Sequence, residues 1–542
     1  MESKDCHTLF DQYVMPTYGR FPLTFERGEG HYLWDTQQQR YLDMGGGIAV
    51  NILGHAHPAL REVLCDQAGK LWHCSNLYHH RRQGQLAEEL VSRIGPGKVF
   101  FANSGAEANE GLFKLARRYG HEQGRHEIIT FTQSFHGRTL GGIAATGQMK
   151  VKEGFGPMTP GFVHAEFNDL NSVKQRISPS TVAIMLEGIQ GEGGIRPATE
   201  VFLKGLRQLC QEHDLLLLWD GVQCGHYRTG HFQSYQSILE EASSDVNFMP
   251  DAIAMAKSLG GGFPIGAFWV RQQHASLLGP GSHGTTYGGN PLACAVALKI
   301  LHIIEQEGLA DQARKMGDAL RKGLTELKES YEDYIEDIRG MGLMLGLVLR
   351  EDSPLAKKGE GPVSLTAVKR LHDHGLLTIP SGTQVIRLLP ALNIQDAEVS
   401  APATYPDSRS ETGFVESGLA PTTPLPLFAD QSYSLYAEYS GINLFGGSGA
   451  LRLQHSSVGE SLNQLTDGFA SPRLTQGDYD VTDIIFNYQK DNWGARIYVN
   501  NISDERGITY EDSQDFDQAF GQNSSNVIRP RNYGISLRYF FN

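Results

Sequence analysis

Short apolar runs alternate with longer segments of helical spacing between about residues 51 and 290. The runs at 99–102, 128–131, 182–186, 215–219 and 252–256 have the length and composition of buried strands. After the first of them, Leu112, Leu115, Ala116 and Tyr119 keep helical spacing. Strands alternating with helices predict a mostly parallel sheet covered by helices. Each run gives way at once to polar or charged residues, and in open α/β sheets such strand ends are where ligands sit. Ahead of this region, residues 10–47 read as a short helix and then extended segments broken by Pro16, Gly19, Pro22, Gly28 and Gly30. From Pro291 the pattern turns to helices, at 293–307 and 310–330, with a few strands. The predicted division is an N-terminal segment over 1–50 that joins a small domain, a large domain over 51–290, and a small α+β domain over 291–400.

Beyond residue 400 the text changes character. Residues 401–426 hold Pro402, Pro406, Pro421, Pro424 and Pro426 among Ser, Thr and Gly, the composition of a linker. Past it, period-two alternation replaces helical spacing. Tyr433, Leu435, Ala437 and Tyr439 form one apolar set; Trp493, Ala495, Ile497 and Val499 form another; Ile535, Leu537, Tyr539 and Phe541 form a third. One apolar and one polar face over about ten residues predict half-buried or lipid-facing antiparallel strands within 427–542.

Composition narrows the function classes. A hydrophobic content of 40% and a charged content of 20% describe a globular chain. It has no apolar run near the roughly eighteen residues of a membrane helix. The opening MESKDCHTLFDQYVM has no basic stretch followed by an apolar core, so a cytoplasmic location is expected. A net charge of −14 offers no basic footprint for nucleic acid. Cys6, Cys65, Cys74, Cys210, Cys224 and Cys294 form no CxxC pair, which fits reduced thiols. Neither His55 with His57 nor the pair His79–His80 keeps ligand spacing with a carboxylate or cysteine, so no metal site is expected.

The candidate chemistry starts at PDAIAMAKSLGGGFPIGA, residues 250–267, where an apolar run delivers Lys257 into a turn rich in glycine and proline. Two readings are open: a lysine that snorkels to water, or one desolvated enough to lose its proton and attack an aldehyde. Other strand ends supply what an aldehyde cofactor needs. In ANSGAEANE the small residues at a helix start could close backbone N–H groups on a phosphate, or simply make a tight turn. In TQSFHGRT, Phe135 could stack on a flat heterocycle and Arg138 could fork onto a carboxylate. In LLLLWDGVQCG, Asp220 could hold a pyridinium nitrogen protonated, or merely cap the turn. Val222 could pack on the other ring face and Gln223 could bond a phenolic oxygen. The hydroxyls of Thr285 and Thr286 sit beside glycines and could make a second phosphate contact.

These signals fall in one order, and residues from about 10 to 399 resemble the class III pyridoxal-phosphate aminotransferases, within them most nearly the acetylornithine aminotransferases. The text carrying the resemblance includes YVMPTYGRFP, GHAHP, NSGAEANE, SFHGRT, LEGIQGEGG, DGVQCG, AKSLGGGFPIGA, HGTTYGGNP and VIRLLPALN. The resemblance implies a fold-type I transferase that binds pyridoxal 5′-phosphate, works on small amino acids and 2-oxo acids, and forms a homodimer. It implies that Lys257 carries the cofactor as a Schiff base and shuttles the proton. Gly105 and Ala106 would hold the phosphate, with Thr286 reaching it from a neighbouring subunit. Phe135 and Val222 would sandwich the ring, and Asp220, Gly221 and Gln223 would line its nitrogen and oxygen side. Arg138, Glu187 and Thr285 would line the substrate pocket. Arg387 would bind the α-carboxylate of glutamate and pair with Glu192 when the longer amine is bound. The implied reaction moves the δ-amino group of N2-acetyl-L-ornithine to 2-oxoglutarate. Ornithine, succinylornithine or 4-aminobutyrate as amine donor is the nearby alternative.

The chain departs from that pattern in places. Gly188 stands where the family usually has proline, Gly221 where it often has glutamate, and His226–Tyr227 where it often has methionine and glycine. The two glycines are expected to add backbone freedom beside Glu187 and Asp220. Pro402 and Pro406 stand where the family continues with a closing helix, so a truncated small domain is expected. Residues from about 427 resemble the C-terminal strands of TonB-dependent outer-membrane receptors, through YDVTDIIFNYQKDNWGARIYVNNISDERG and RPRNYGISLRYFF. The piece supplies about five strands, too few to close a barrel. It reads as a fused fragment, and a non-enzymatic outer-membrane barrel protein is the alternative of a different class.

Overall fold

In a computed structural model the chain divides into two compact units, Met1–Tyr405 and Pro406–Asn542. The structure describes residues 6–241, 248–358, 361–396 and 398–399 of the first. In the second it describes 432–444, 447–458, 461–462, 475–476, 479–490, 493–501, 508–512, 524–527 and 532–539. The predicted linker over 401–426 and the predicted loss of a closing helix fall outside the described residues.

The first unit is built on a seven-stranded sheet. Its strands are β1 (Gly97–Ala102), β2 (Glu127–Phe131), β3 (Phe162–Ala165), β4 (Thr181–Glu187), β5 (Leu216–Asp220), β6 (Ala252–Met255) and β7 (Gly266–Arg271), in the order β1-β7-β6-β5-β4-β2-β3. All five apolar runs are strands. The stretch from β6 to β3 across the sheet is parallel, whereas β7 runs antiparallel to both neighbours. β1 therefore points the same way as the parallel set, and the C-terminal ends of β1, β2, β4, β5 and β6 share one edge. Strands β4, β5 and β6 are buried along their whole length, which is why they read as unbroken apolar text rather than alternation.

Helix α1 (Gly105–Tyr119) follows β1 and buries Ala108, Leu112, Leu115 and Ala116, an i, i+4, i+7, i+8 stripe. Ser104 caps it, its Oγ accepting the Glu107 N–H at 3.2 Å. Further along, α2 (Pro291–Gln306) and α3 (Leu309–Ser330) lead into an antiparallel sheet of β8 (Ile335–Met341), β9 (Met344–Leu349), β10 (Ile379–Ser381) and β11 (Val385–Leu388), ordered β8-β9-β11-β10. Residues Leu376–Leu377 instead join the N-terminal strands, pairing in parallel with Arg40–Asp43.

The second unit holds a five-stranded antiparallel sheet of Ser432–Leu444, Gly447–Val458, Tyr479–Lys490, Trp493–Asn500 and Asn532–Tyr539, in that order. Its register aligns the apolar sets. One row runs Ala437, Leu453, Ile484, Val499, Tyr533, and the next runs Tyr439, Leu451, Phe486, Ile497, Ile535. Directly paired residues share a face, and on it Leu451, Leu453, Ile484, Trp493 and Ile497 are exposed.

Candidate functional site

The shared edge of the large sheet opens into a cavity of about 390 Å³ lined from the ends of β1, β2, β4, β5 and β6. Lys257 lies two residues past β6 and is the one lysine among the lining residues. Its φ of +46° is in the left-handed region, which for a residue with a side chain costs about 1–3 kcal/mol and recurs where geometry serves function. Among the described residues the amine has no hydrogen-bond or ion-pair partner. Burial pulls its pKa below the ordinary lysine value, with Glu192 pushing it back up and Arg387 lowering it further.

Asp220 ends β5 and is 3% exposed. Its Oδ2 accepts the Asn109 Nδ2–H at 2.7 Å and the His136 Nδ1–H at 2.8 Å, and its Oδ1 accepts the Val222 N–H at 3.1 Å. The carboxylate is fixed from behind and faces the cavity. The sequence motifs assign Asn109 and His136 no role; the signals that could have found one are a polar residue on the inner stripe of α1 and a histidine directly after Phe135.

At the end of β1 the start of α1 leaves the N–H groups of Gly105 and Ala106 without intrahelical acceptors, and both residues line the cavity. A Cβ on Gly105 would stand 2.7 Å from Val222 Cγ1, so no side chain fits there. Phe135 and Arg138 line the same cavity, with the guanidinium carbon 5.4 Å from the centre of the phenyl ring. Glu187 lines it too, but its oxygens are engaged: Oε1 accepts the Phe135 N–H at 2.9 Å and Oε2 the Gly191 N–H at 3.2 Å. Complete burial pushes this carboxyl up to about 7.

Behind Gln223 the cavity wall leads to Arg387, 2% exposed on β11. Arg387 Nη1 donates to Glu192 Oε1 at 2.6 Å, to Gln223 Oε1 at 3.2 Å and to the Gly191 carbonyl at 3.2 Å, while Nη2 donates to the Pro380 carbonyl at 3.1 Å. Gln223 Nε2 donates to Glu192 at 3.3 Å. Burial pushes the Glu192 carboxyl up, but the charge and hydrogen bond of Arg387, with Lys257 and Gln223 adding to them, together hold the group below the usual carboxylate range.

The structure does not bring every candidate together within one chain. Thr285 and Thr286 line a second cavity, of about 710 Å³, with His73, Asn76 and His283. Thr285 Oγ1 accepts the Asn103 Nδ2–H at 3.2 Å, and neither threonine is among the residues lining the cavity that holds Arg138.

The departures from the family pattern have a different physical meaning from the one expected. Gly188 and Gly221 supply space rather than freedom. A Cβ on Gly188 would stand 2.3 Å from Trp219 Cζ2 and from Ser234 Oγ, and one on Gly221 would stand 2.3 Å from Gln233 Oε1. His226 and Tyr227 adopt φ of +54° and +66°, a region that favours glycine. We expect Gly188→Ala to destabilise the protein by about 1–3 kcal/mol through overpacking. Trp219→Phe in the same chain should restore part of that loss, measured as coupling in a double-mutant cycle of thermal unfolding. Equal stability of Gly188→Ala and the parent would contradict the packing argument.

A flat phosphorylated pyridine aldehyde fits this cavity: helix-start N–H groups beside a position without room for Cβ, Phe135 and Val222 in the wall, a fixed carboxylate and a buried amine without a partner among the described residues. The aminotransferase class-III model matches residues 13–404. An acetylornithine aminotransferase of Rhodobacter capsulatus is 46% identical over 390 residues, 71% of this chain and 94% of the relative. A succinylornithine transaminase of Salmonella typhimurium is 44% identical over 394 residues, 72% of this chain and 93% of the relative. Among solved structures, the N-acetylornithine aminotransferase of Stenotrophomonas maltophilia is 36% identical with a TM-score of 0.61, covering 73% of this chain and 96% of that one. The ornithine aminotransferase of Toxoplasma gondii is 30% identical with a TM-score of 0.68, covering 73% and 92%. The chain belongs to the class-III aminotransferases, enzymes that work with pyridoxal 5′-phosphate.

Proposed function

We propose that the protein transfers the δ-amino group of N2-acetyl-L-ornithine to 2-oxoglutarate, giving N-acetyl-L-glutamate 5-semialdehyde and L-glutamate. The observation that carries this reading is the Arg387–Glu192 pair at 2.6 Å. With its charge matched, the wall suits a neutral acylated chain; with Glu192 moved aside, Arg387 is freed for a carboxylate. Pyridoxal phosphate, when bound, supplies the aldehyde that receives the amino group and a ring that accepts electrons. Lys257 Nζ, kept short of its usual proton affinity by burial, takes and returns the proton of the amine-bearing carbon. Asp220 holds the proton on the ring nitrogen, Gly105 and Ala106 bind phosphate, and Arg138 orients the substrate carboxylate.

The matched succinylornithine transaminases support a second reading, with succinylornithine as amine donor. We infer a cytoplasmic homodimer in which Thr286 reaches the partner's phosphate, supported by the placement of Thr286 outside its own chain's cofactor cavity. For residues 427–542 we infer a fused fragment of outer-membrane receptor type, supported by the aligned apolar rows and serving no step of the reaction. Among the described residues no helix is long and apolar enough to cross a membrane.

One measurement separates these readings. Purified protein should show the visible absorbance of bound cofactor, bleached by acetylornithine at lower concentration than by ornithine, succinylornithine or 4-aminobutyrate. A chain ending at Tyr405 should bleach alike. Preference for another amine would displace the first reading, and absence of the band would favour a barrel protein.

A further inference from the structure

The turn that carries Glu192 is otherwise glycine: Gly191, Gly193 and Gly194. Gly194 has φ +98°, and the Gln133 carbonyl lies 2.5 Å from where a Cβ on Gly193 would stand. Such a backbone has little preference of its own, yet it aims one carboxylate at Arg387. Hydrogen bonds from outside fix it. Glu187 takes the Gly191 N–H. A single side chain then spans the turn: Ser381 Oγ donates to the Gly191 carbonyl at 2.9 Å and accepts the Gly194 N–H at 2.8 Å. The Gly191 carbonyl keeps a second donor in Arg387, whereas the Gly194 N–H has no other acceptor among the described residues. Ser381 is 1% exposed and ends β10, opposite Val385 on the strand that carries Arg387. One sheet therefore holds the guanidinium and also the backbone of the carboxylate that pairs with it.

We propose that Ser381 is a positioning residue that sets the balance between the paired and the released state of Glu192, and through it the pocket's relative affinity for dicarboxylate and neutral-chain substrates. The inference rests on the two-substrate reading of Arg387 given above. A dicarboxylate needs the guanidinium free, so Glu192 must swing away. Rotation of its glycine turn stretches both Ser381 bonds, and the hydroxyl accordingly stabilises the paired state. The net worth of an ordinary hydrogen bond corresponds to about three- to tenfold in that equilibrium.

The test compares the full cofactor-loaded chain with Ser381→Ala and Ser381→Thr. Calorimetry measures the Kd of glutarate, a dicarboxylate with no amino or keto group, and single half-reactions measure KM for glutamate and for the acylated amine. Ser381→Ala should bind glutarate about three- to tenfold tighter. It should also lower KM for glutamate and raise KM for the amine, with kcat moving less than either. Ser381→Thr, which keeps the hydroxyl, should return toward the parent. Glutarate affinity and KM ratio within about twofold of the parent, in a variant with unchanged unfolding temperature, would overturn the proposal. So would a parallel rise of both KM values with lower thermal stability in both variants, the pattern of general loosening. A parent that neither binds glutarate nor reacts with glutamate would instead overturn the two-substrate reading, and this inference with it.

Discussion

Replacing Lys257 with alanine is expected to lower the rate of the amine half-reaction by about a thousandfold or more. Borohydride treatment of the loaded parent should fix the cofactor to one peptide, the one that contains Lys257, and the variant should carry no label there. The expectation follows from placement rather than from the lysine's presence. Among the described residues no other lysine lines the cavity, so none of them can substitute. The amine has no partner among the described residues, and its left-handed backbone is held by the turn that follows, where the Gly260 N–H donates to the Lys257 carbonyl at 3.0 Å. Lys257→Ala should fold, because the side chain it removes makes no structural bond. A small amine added from solution should recover part of the proton transfer. Label on a different lysine, or activity in the variant within about tenfold of the parent, would remove Lys257 from the chemistry.

The parts of this site that were legible in the sequence are those written in a single strand and its first following residues. LLLLWD and AIAMAK announce buried parallel strands because a strand covered on both faces has no polar alternation, and the one polar residue that ends it must have a purpose. Strands β3 and β7 carried weaker signals. β3 is a four-residue edge strand with mostly half-buried text, and β7 begins and ends in Gly and Arg and runs against the sheet. Least legible were the contacts between distant segments. Asn109 and His136 reach Asp220 across 111 and 84 residues of chain, and Ser381 reaches Gly191 across 190. The same limit applies to Gly188 and Gly221. Glycine in a sequence suggests freedom, but whether its missing side chain is occupied by Trp219 or Gln233 depends on packing that spacing does not record. In the tail, alternation foretold strands at Ser432–Leu444, Trp493–Asn500 and Asn532–Tyr539, Phe541 of the third apolar set lying outside the described residues, and the register added what alternation lacks: which positions lie in one row.

Asp220→Asn is the second change expected to be severe, and it isolates charge from shape. The carboxylate is buried, with two side-chain donors on Oδ2 and a backbone donor on Oδ1. An amide of the same size can keep an acceptor toward only one of those directions, and its NH2 then meets an N–H group. Removing one partner of a buried, hydrogen-bonded charge costs about 3–5 kcal/mol, equivalent to roughly 10²- to 10³-fold or more in rate if the loss is felt in the transition state. Because the cavity walls and Lys257 are untouched, borohydride should still fix cofactor at Lys257 in this variant, while the half-reaction slows and the cofactor dissociates more readily on dialysis. On the proposed reading the two variants should therefore fail differently: one would lose the covalent anchor, and the other would keep the anchor but lose the charge that would hold a proton on the ring nitrogen. Half-reaction rates for Asp220→Asn within about tenfold of the parent would show that the His136–Asp220–Asn109 cluster supports the strand end and does not reach the cofactor.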